Sequence, residues 1–201
     1  MKPEADTNPR MTVRSALRVL AELRDDKTIV VTNQGSARVW PLIANHSLDF
    51  HYNPSTMGGA IPFGLGLALA NPLLHVIVIS GDGALTMSLG SLISVIATGA
   101  TNLTVVVLDN GIYEVTGGQK TAASVADVDY VALARSVGFR STFGFDQEMM
   151  WSEQGPTIVT APGPRFVSLR VEKALPDDMV TPAMPISEQL TRLSQAIKYR
   201  S

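Results

Sequence analysis

The 201-residue sequence contains no cysteine and only three histidines: His46, His51 and His75. Without cysteine the chain cannot form disulfides, iron–sulfur clusters, thiolate zinc sites or a cysteine nucleophile. No two of the histidines stand at the spacing of a helical metal site, which argues against a histidine-rich metal centre. A metal ion would therefore have to be held mainly by oxygen atoms.

Charged residues are also scarce. Asp, Glu, Lys and Arg make up 17% of the chain, against about 25% in typical soluble domains, whereas the hydrophobic fraction of 45% is ordinary. The formal net charge of −2 argues against a nucleic-acid partner, because a nucleic-acid surface needs clustered positive charge. We expect other protein to cover much of this charge-poor surface, as in an oligomer; a charge-poor monomer is the alternative.

Long hydrophobic runs are absent too. The longest apolar stretch, residues 61–70, is too short to cross a bilayer, and MKPEADTNPR at the start lacks the apolar core of a signal peptide. We therefore expect a cytoplasmic protein with no membrane partner. The length predicts one domain. We divide the chain into a disordered start (1–11), the domain (12–175), and a linker with a C-terminal helix (176–201).

Strand and helix patterns alternate along the chain and predict an α/β fold. Residues 75–80 and 104–109 are apolar on both faces, as in buried parallel strands, and the segment between them predicts a helix. This βαβ unit leads us to predict a doubly wound, mostly parallel six-stranded sheet with helices on both faces.

Three other segments carry weaker signals. Residues 57–70 are apolar all round and predict a helix that is buried on every side. Residues 45–55 show no periodicity and predict irregular structure. Gly155-Pro156 predicts a break in any helix across residues 146–162.

Ligands of doubly wound sheets bind at the carboxyl ends of the strands. Three loops at that edge are rich in Gly, Asn and Asp: residues 33–36, 81–84 and 109–119. Asp82 stands between Gly81 and Gly83, where the glycines allow close approach of a ligand and the following helix suits a phosphate. An acid beside a phosphate needs a divalent cation, and Mg²⁺ prefers oxygen ligands. Asn110, after the next strand, can supply a second one. Either segment alone is ordinarily a turn, but the two together favour a Mg²⁺–phosphate site.

Gly81-Asp82-Gly83, followed after 26 residues by Asn110, resembles the motif of thiamine diphosphate (ThDP)-dependent enzymes. The family usually has a pair of asparagines, and here the first of the two is Asp109. The resemblance implies the diphosphate-binding (PP) domain of the ThDP-binding fold. It further implies that Asp82, the side-chain oxygen of Asn110 and the carbonyl of Ile112 bind Mg²⁺.

Other segments extend the resemblance over about residues 12–173. Ser55-Thr56-Met57-Gly58 resembles the family segment that places a large apolar residue under the cofactor and holds it in a V shape. Residues 113–119 with Thr121, and Asn33-Gln34-Gly35, are similar to the β subunit of sulfopyruvate decarboxylase and to phosphonopyruvate decarboxylase. The resemblance implies these cofactor-binding residues: Asn33, Gly35, Ser55, Met57, Gly81, Gly83, Ala84, Leu85, Ile112 and Tyr113.

In single-chain relatives a pyrimidine-binding (PYR) domain supplies an activating glutamate. The resemblance therefore implies that this chain is the ThDP- and Mg²⁺-binding subunit of a two-chain 2-oxo acid decarboxylase. It would be a lyase that is active only with a separate PYR-domain α subunit, in an α2β2 or larger heteromer. Met57 is a candidate catalytic residue. Glu114 is a second candidate, as proton donor or substrate contact, with a solvated loop acid as the alternative.

Two other functions stay open. The chain could be the half-site of a ThDP-dependent carboligase that forms an acyloin or an acetohydroxy acid, or a non-catalytic ThDP-binding regulatory subunit. An oxoacid:ferredoxin oxidoreductase subunit fits poorly, because its complex needs cluster-binding cysteines and this chain has none.

Overall fold

A six-stranded sheet forms the centre of the computed structural model, which describes residues 11–182 and 184–200. Its strands are β1 (Thr28–Asn33), β2 (Asp49–Tyr52), β3 (His75–Gly81), β4 (Leu103–Asp109), β7 (Ser141–Phe145) and β8 (Arg165–Arg170). The spatial order is β2-β1-β3-β4-β8-β7, and every neighbouring pair is parallel. A separate antiparallel hairpin is formed by β5 (Ile112–Tyr113) and β6 (Gln119–Lys120).

Helices cover both faces of the sheet, so the predicted doubly wound α/β fold is confirmed. One face carries α3 (Ala60–Ala70), α5 (Gly90–Thr98), α7 (Tyr130–Ser136) and α9 (Ile186–Lys198). The other carries α1 (Val13–Leu23), α2 (Gly35–Val39) and α8 (Glu148–Thr160). Two short helices belong to loops at the carboxyl edge: α4 (Asp82–Thr86) and α6 (Ala122–Val125).

The alternation of side chains along each strand produces two hydrophobic cores. In β1, Ile29 and Val31 pack under α3 and α5, while Val30 packs against the α1 side. In β4, Val105 belongs to the core on the α3 and α5 side, and Val106 belongs to the core on the α1 side. Because both faces are covered, the strands are apolar without interruption, which is why the sequence pattern predicted them well.

The predicted irregular segment 45–55 is wrong in its centre, because Asp49–Tyr52 form the edge strand β2. The buried side chain of Gln189 on α9 accepts a hydrogen bond from the His51 amide at 2.7 Å and donates to the His51 carbonyl at 3.2 Å. The side-chain amide of Gln189 thus bonds the backbone of the edge strand, as a neighbouring strand would, and protects the edge of the sheet. These partners stand 138 residues apart in sequence, so no local pattern could have indicated the strand.

A buried ion pair fixes the same strand to the end of α1. Arg24 pairs with Asp49, whose side chain is 1% exposed. The second carboxylate oxygen of Asp49 accepts hydrogen bonds from the Trp40 indole at 3.1 Å and from the His46 amide at 2.9 Å. With its oxygens satisfied in this way, the buried charge is tolerated, and it orients β2 beside β1.

Two helix predictions also need correction. The helix α8 continues through Pro156, because Trp151 and Ile158 on either side of the proline are buried against the α1 layer. Tertiary packing therefore outweighs the hydrogen bond that the proline removes. The helix predicted over 57–70 begins at Ala60 and is not buried on every side, since Pro62 and Leu69 are exposed.

Met11 near the start of the chain and α9 near its end both belong to the folded domain. Residues 1–10 of the predicted disordered start lie outside the described residues. Met11, the last residue of that segment, belongs to the folded domain: it is 2% exposed and forms a parallel bridge with Val171. At the other end, α9 contributes Leu193 and Ala196 to the core. Within the described part of the chain, no helix combines the length and the apolar character needed to cross a bilayer.

The histidine at the start of β3 makes the stability of the fold pH-dependent. Burial, with a contribution from Arg165, lowers the pKa of His75 from 6.5 to about 4. His75 Nε2 lies 2.8 Å from Thr104 Oγ1 and 3.0 Å from Arg165 Nη1. The folded state therefore favours the neutral form of His75. The contribution of this group to the free energy of unfolding is fully present above pH 6.5 and is lost as the pH falls toward 4, because the unfolded chain takes up the proton first.

We predict that this group alone removes about 3 kcal/mol from the free energy of unfolding between pH 6.5 and 4. His75→Gln should flatten that part of the profile while retaining a polar contact to Thr104. Denaturant unfolding at stepped pH values measures both proteins. Parallel profiles for the two would show that His75 is not the responsible group.

Candidate cofactor and metal site

A cavity of about 320 Å³ opens at the carboxyl ends of β1, β3 and β4. From β1 the sheet extends to β2 on one side and to β3 on the other, so the cavity lies at the topological switch point where such sheets bind ligands. Most of the predicted site residues line it: Asn33, Gly35, Met57, Gly81, Asp82, Gly83, Ala84, Asn110, Ile112, Tyr113 and Glu114.

Asp82 is the buried acid of this cavity, with 1% of its surface exposed. Burial raises the pKa of Asp82 to about 6; a hydrogen bond from Thr121 opposes the rise, and the nearby charge of Asp109 adds to it. Thr121 Oγ1 donates to Asp82 Oδ2 at 3.0 Å. A carboxylate that is poorly solvated in its charged form is one that a bound cation would stabilise.

The other two predicted metal ligands belong to one tight turn after β4. The side-chain oxygen of Asn110 accepts a hydrogen bond from the Ile112 amide at 3.1 Å. Both residues line the same cavity as Asp82. No group of three or more His, Cys, Asp or Glu side chains at metal-binding distance occurs among the described residues. A carboxylate, an amide oxygen and a backbone carbonyl are nevertheless a donor set of the kind that Mg²⁺ accepts.

Two features of the cavity wall fit a polar ligand. Asn33 is 1% exposed, and neither its side-chain oxygen nor its side-chain nitrogen has a hydrogen-bond partner in the protein. Leaving such groups unpaired costs about 1–3 kcal/mol each. At Gly81, an added Cβ would meet no protein atom within 4 Å. The protein therefore leaves polar groups unpaired and space unfilled on the same cavity, which suits a phosphorylated cofactor.

Gln34 also lines the cavity, although the residue pattern predicted no role for it. Its backbone has φ 52° and ψ −119°, a conformation that normally requires glycine. Its side chain donates to Ser55 Oγ at 2.7 Å. Strain of this kind concentrates at functional sites, but it is invisible in sequence because glutamine has no preference for it.

Two of the predicted cofactor residues do not line the cavity. The Ser55 hydroxyl accepts the hydrogen bond from Gln34, so it orients a side chain that does line the cavity. Leu85 is fully buried in the core on the α3 and α5 side, because the first turn of α4 directs its side chain away from the cavity.

The two catalytic candidates both line the cavity but differ in their contacts. Glu114 Oε1 accepts a hydrogen bond from the Ala174 amide at 2.6 Å. An added Cβ at Gly35 would lie 2.9 Å from Glu114 Oε2. The glutamate thus joins three segments at the cavity wall and is not a freely solvated loop acid. Met57 lines the cavity just before α3. Catalytic roles for Met57 and Glu114 stay predictions.

Comparison with known proteins agrees with this geometry. Residues 30–168 match the family model of the thiamine pyrophosphate enzyme, C-terminal TPP binding domain. The chain is 35% identical over 175 residues to phosphonopyruvate decarboxylase of Streptomyces viridochromogenes, which covers 87% of this chain and 43% of that protein. It is 34% identical over 148 residues to sulfopyruvate decarboxylase subunit beta of Methanothermobacter thermautotrophicus, covering 72% of this chain and 77% of that protein.

A solved structure shows the same fold. The X-ray structure of a candidate thiamin diphosphate-dependent enzyme from Mycobacterium smegmatis superposes with a TM-score of 0.68 at 21% identity, over 83% of this chain and 33% of that one. The chain spans less than half the length of the phosphonopyruvate decarboxylase that it matches. The family resemblance is confirmed: this chain belongs to the thiamine pyrophosphate enzymes, as a C-terminal ThDP-binding domain of the kind found in phosphonopyruvate and sulfopyruvate decarboxylases.

Proposed function

We propose that this chain is the diphosphate- and Mg²⁺-binding half of a ThDP-dependent 2-oxo acid decarboxylase. A separate chain would supply the PYR domain and its activating glutamate. The observation that carries the proposal is the cavity that the buried Asp82 lines together with Asn110 and Ile112. A relative that this chain covers over 77% of its length is named as a subunit beta, which supports the two-chain arrangement.

In this proposal each part of the cavity has a physical task. Asp82, Asn110 Oδ1 and the Ile112 carbonyl would hold Mg²⁺, and the open space at Gly81 would admit phosphate groups. Met57, which lines the same cavity, would give the cofactor an apolar contact. When bound, ThDP supplies a nucleophilic carbon and an electron sink for decarboxylation. The apolar wall of the cavity, including Val13 and Leu108, would limit the access of water to a bound cofactor.

The substrate class follows from the relatives. The two relatives described above are named phosphonopyruvate decarboxylase and sulfopyruvate decarboxylase subunit beta, whose substrates are by name substituted pyruvates and hence 2-oxo acids. We propose a 2-oxo acid for this chain as well. The partner would contribute the rest of the substrate pocket.

A surface for the partner is suggested by the distribution of charge. Between residues 50 and 108 the sequence has one charged residue, the buried Asp82. The outer faces of α3 and α5 expose Leu69 (51%) and Ile93 (59%). They also expose Gly66 and Gly90, where an added Cβ would meet no protein atom within 4 Å. Glycine inside a helix, as at Gly66 in α3, is unfavourable by roughly 1 kcal/mol, and no described residue lies close enough to Gly66 or to Gly90, the first residue of α5, to require glycine there.

We therefore propose that an apolar helical surface of the partner packs closely on the α3–α5 face, where the glycines permit near contact. This face begins beside the cavity, because Met57 precedes α3 and Asp82 opens the segment that leads to α5. A partner bound there would also reach the cofactor. The low charge fraction of the chain fits a domain that is covered on one side.

The proposed function is tested by recovering the tagged chain from its host with its stoichiometric partner. We expect the complex to bind ThDP with Mg²⁺ and to release CO₂ from a 2-oxo acid, while the chain alone turns over nothing. An acyloin or acetohydroxy acid as the main product would show that the complex is a carboligase and not a decarboxylase. A complex that binds ThDP but converts no 2-oxo acid would favour a regulatory subunit instead.

Alanine substitutions at two nearby glycines test where the cofactor lies. Gly81 has φ −81°, so alanine fits its backbone, and its Cβ would enter only open cavity space. We predict that Gly81→Ala lowers ThDP affinity at least about tenfold and leaves the melting temperature of the ligand-free protein unchanged. Calorimetric ThDP titration and thermal unfolding measure the two effects.

Gly83→Ala is the matched comparison, because its Cβ would lie 2.6 Å from the Tyr113 ring. This variant should lose stability even without ligand, since the ring must move. Unchanged ThDP affinity in Gly81→Ala would mean that the cofactor does not occupy the space in front of Gly81.

A charge placed on the α3–α5 face should prevent assembly. We predict that Ile93→Asp weakens partner binding about 100-fold, whereas Met149→Asp has no effect. Met149 is 63% exposed on α8, on the opposite face of the sheet. Size-exclusion chromatography with light scattering follows the complex, and circular dichroism checks folding. Normal assembly of a folded Ile93→Asp protein would rule out this face as the contact.

A further inference from the structure

Thr121 is a fully buried residue whose backbone amide and hydroxyl each bond a different part of the metal site. Its amide donates to the Gly111 carbonyl at 2.9 Å. Its hydroxyl donates to Asp82 Oδ2 at 3.0 Å and accepts from the Ser124 amide at 3.1 Å. The last contact is the N-cap of α6. Capping requires only that the Thr121 oxygen accept the bond from the Ser124 amide. The bond that the same hydroxyl donates to Asp82 is therefore an additional function.

The cap determines where the hydroxyl proton goes. A threonine hydroxyl has one proton, and the Ser124 amide supplies its own proton to the oxygen. The threonine proton is therefore directed to Asp82 Oδ2. The two carboxylate oxygens of Asp82 therefore differ, because Oδ2 is the one that accepts the Thr121 hydroxyl.

The hydrogen bond from the Thr121 backbone amide positions the other two proposed ligands, Asn110 and Ile112. Gly111 lies between Asn110 and Ile112, and its φ of +73° forms the turn in which Asn110 Oδ1 accepts from the Ile112 amide. Because Thr121 bonds the Gly111 carbonyl, it fixes this turn relative to Asp82. One residue thus joins ligands that come from the ends of β3 and β4.

We propose that Thr121 is a positioning residue for the Mg²⁺ site, holding Asp82 in one orientation and the Asn110–Ile112 turn at a fixed distance from it. The proposal rests on the proposed function, since it assumes that these three residues hold Mg²⁺ for ThDP. Thr121 itself does not ligate the ion. Groups that orient a metal ligand in this way typically change metal affinity 10- to 100-fold when removed.

The test compares Thr121→Val, which keeps the shape and removes the hydroxyl, with Thr121→Ser, which restores the hydroxyl. ThDP binding by the chain assembled with its partner is followed calorimetrically while Mg²⁺ is titrated. We expect Thr121→Val to raise the Mg²⁺ concentration for half-maximal binding at least about tenfold. Binding at saturating Mg²⁺ should be retained. Thr121→Ser should stay within about threefold of the wild type, because its hydroxyl can make both bonds.

A control variant separates this role from helix capping. Asp129 caps α7 by accepting from the Ala132 amide at 2.9 Å, and no hydrogen bond joins it to Asp82. Asp129→Ala should lower the melting temperature about as much as Thr121→Val and leave the Mg²⁺ requirement unchanged. If both variants shift the Mg²⁺ requirement equally, or neither does, Thr121 is only a cap.

The wild-type titration distinguishes failure of the proposed function from failure of the role of Thr121. Wild-type protein that binds ThDP independently of Mg²⁺, or not at all, would overturn the proposed function together with this inference. Mg²⁺-dependent binding by the wild type, with an unshifted Thr121→Val, would overturn the role of Thr121 alone.

Discussion

The burial of one carboxylate at the end of the central strand is the constraint on which the rest of this structure depends. Asp82 follows β3, whose residues from Val76 to Ser80 are all buried, so the strand is fixed from both faces. Because the sheet is parallel, the ends of β1 and β4 arrive at the same edge. The Asp82 carboxylate has almost no access to solvent, so its surroundings must supply hydrogen bonds and, in the proposed function, a cation.

The two faces of the sheet are completed differently. On one side, α1 and α8 pack together and Trp151 donates to the Ala16 carbonyl at 3.0 Å, so that layer is closed within the chain. On the other side, α3 and α5 fill the core with their inner residues and present a surface without charge to the outside. This asymmetry accounts for the low overall charge, because charged side chains are missing mainly where the proposed partner would pack.

The sequence was informative wherever local pattern and topology coincide. Asp82 and Asn110 could be assigned to one site because both follow apolar runs, and parallel strands end at a common edge. The edge strand β2 could not be predicted, because it depends on Gln189 from the far end of the chain. The same reason applies to Thr121. Its bond to Asp82 joins two residues 39 positions apart, and a threonine in a loop has no sequence signal for such a contact.

Three departures from the usual rules of folding occur on this one cavity. Asn33 is buried with its side-chain amide unpaired, Gln34 has a backbone conformation suited to glycine, and Asp82 is a buried acid with a raised pKa. Each of these lowers the stability of the chain alone, and such features persist where function requires them. A ligand that pairs Asn33 and a cation that neutralises Asp82 would recover part of that free energy. Binding and folding are then linked, because whatever binds only the folded state also stabilises it. In the proposed function, the cofactor and metal therefore complete the site, and a partner completes the α3–α5 face.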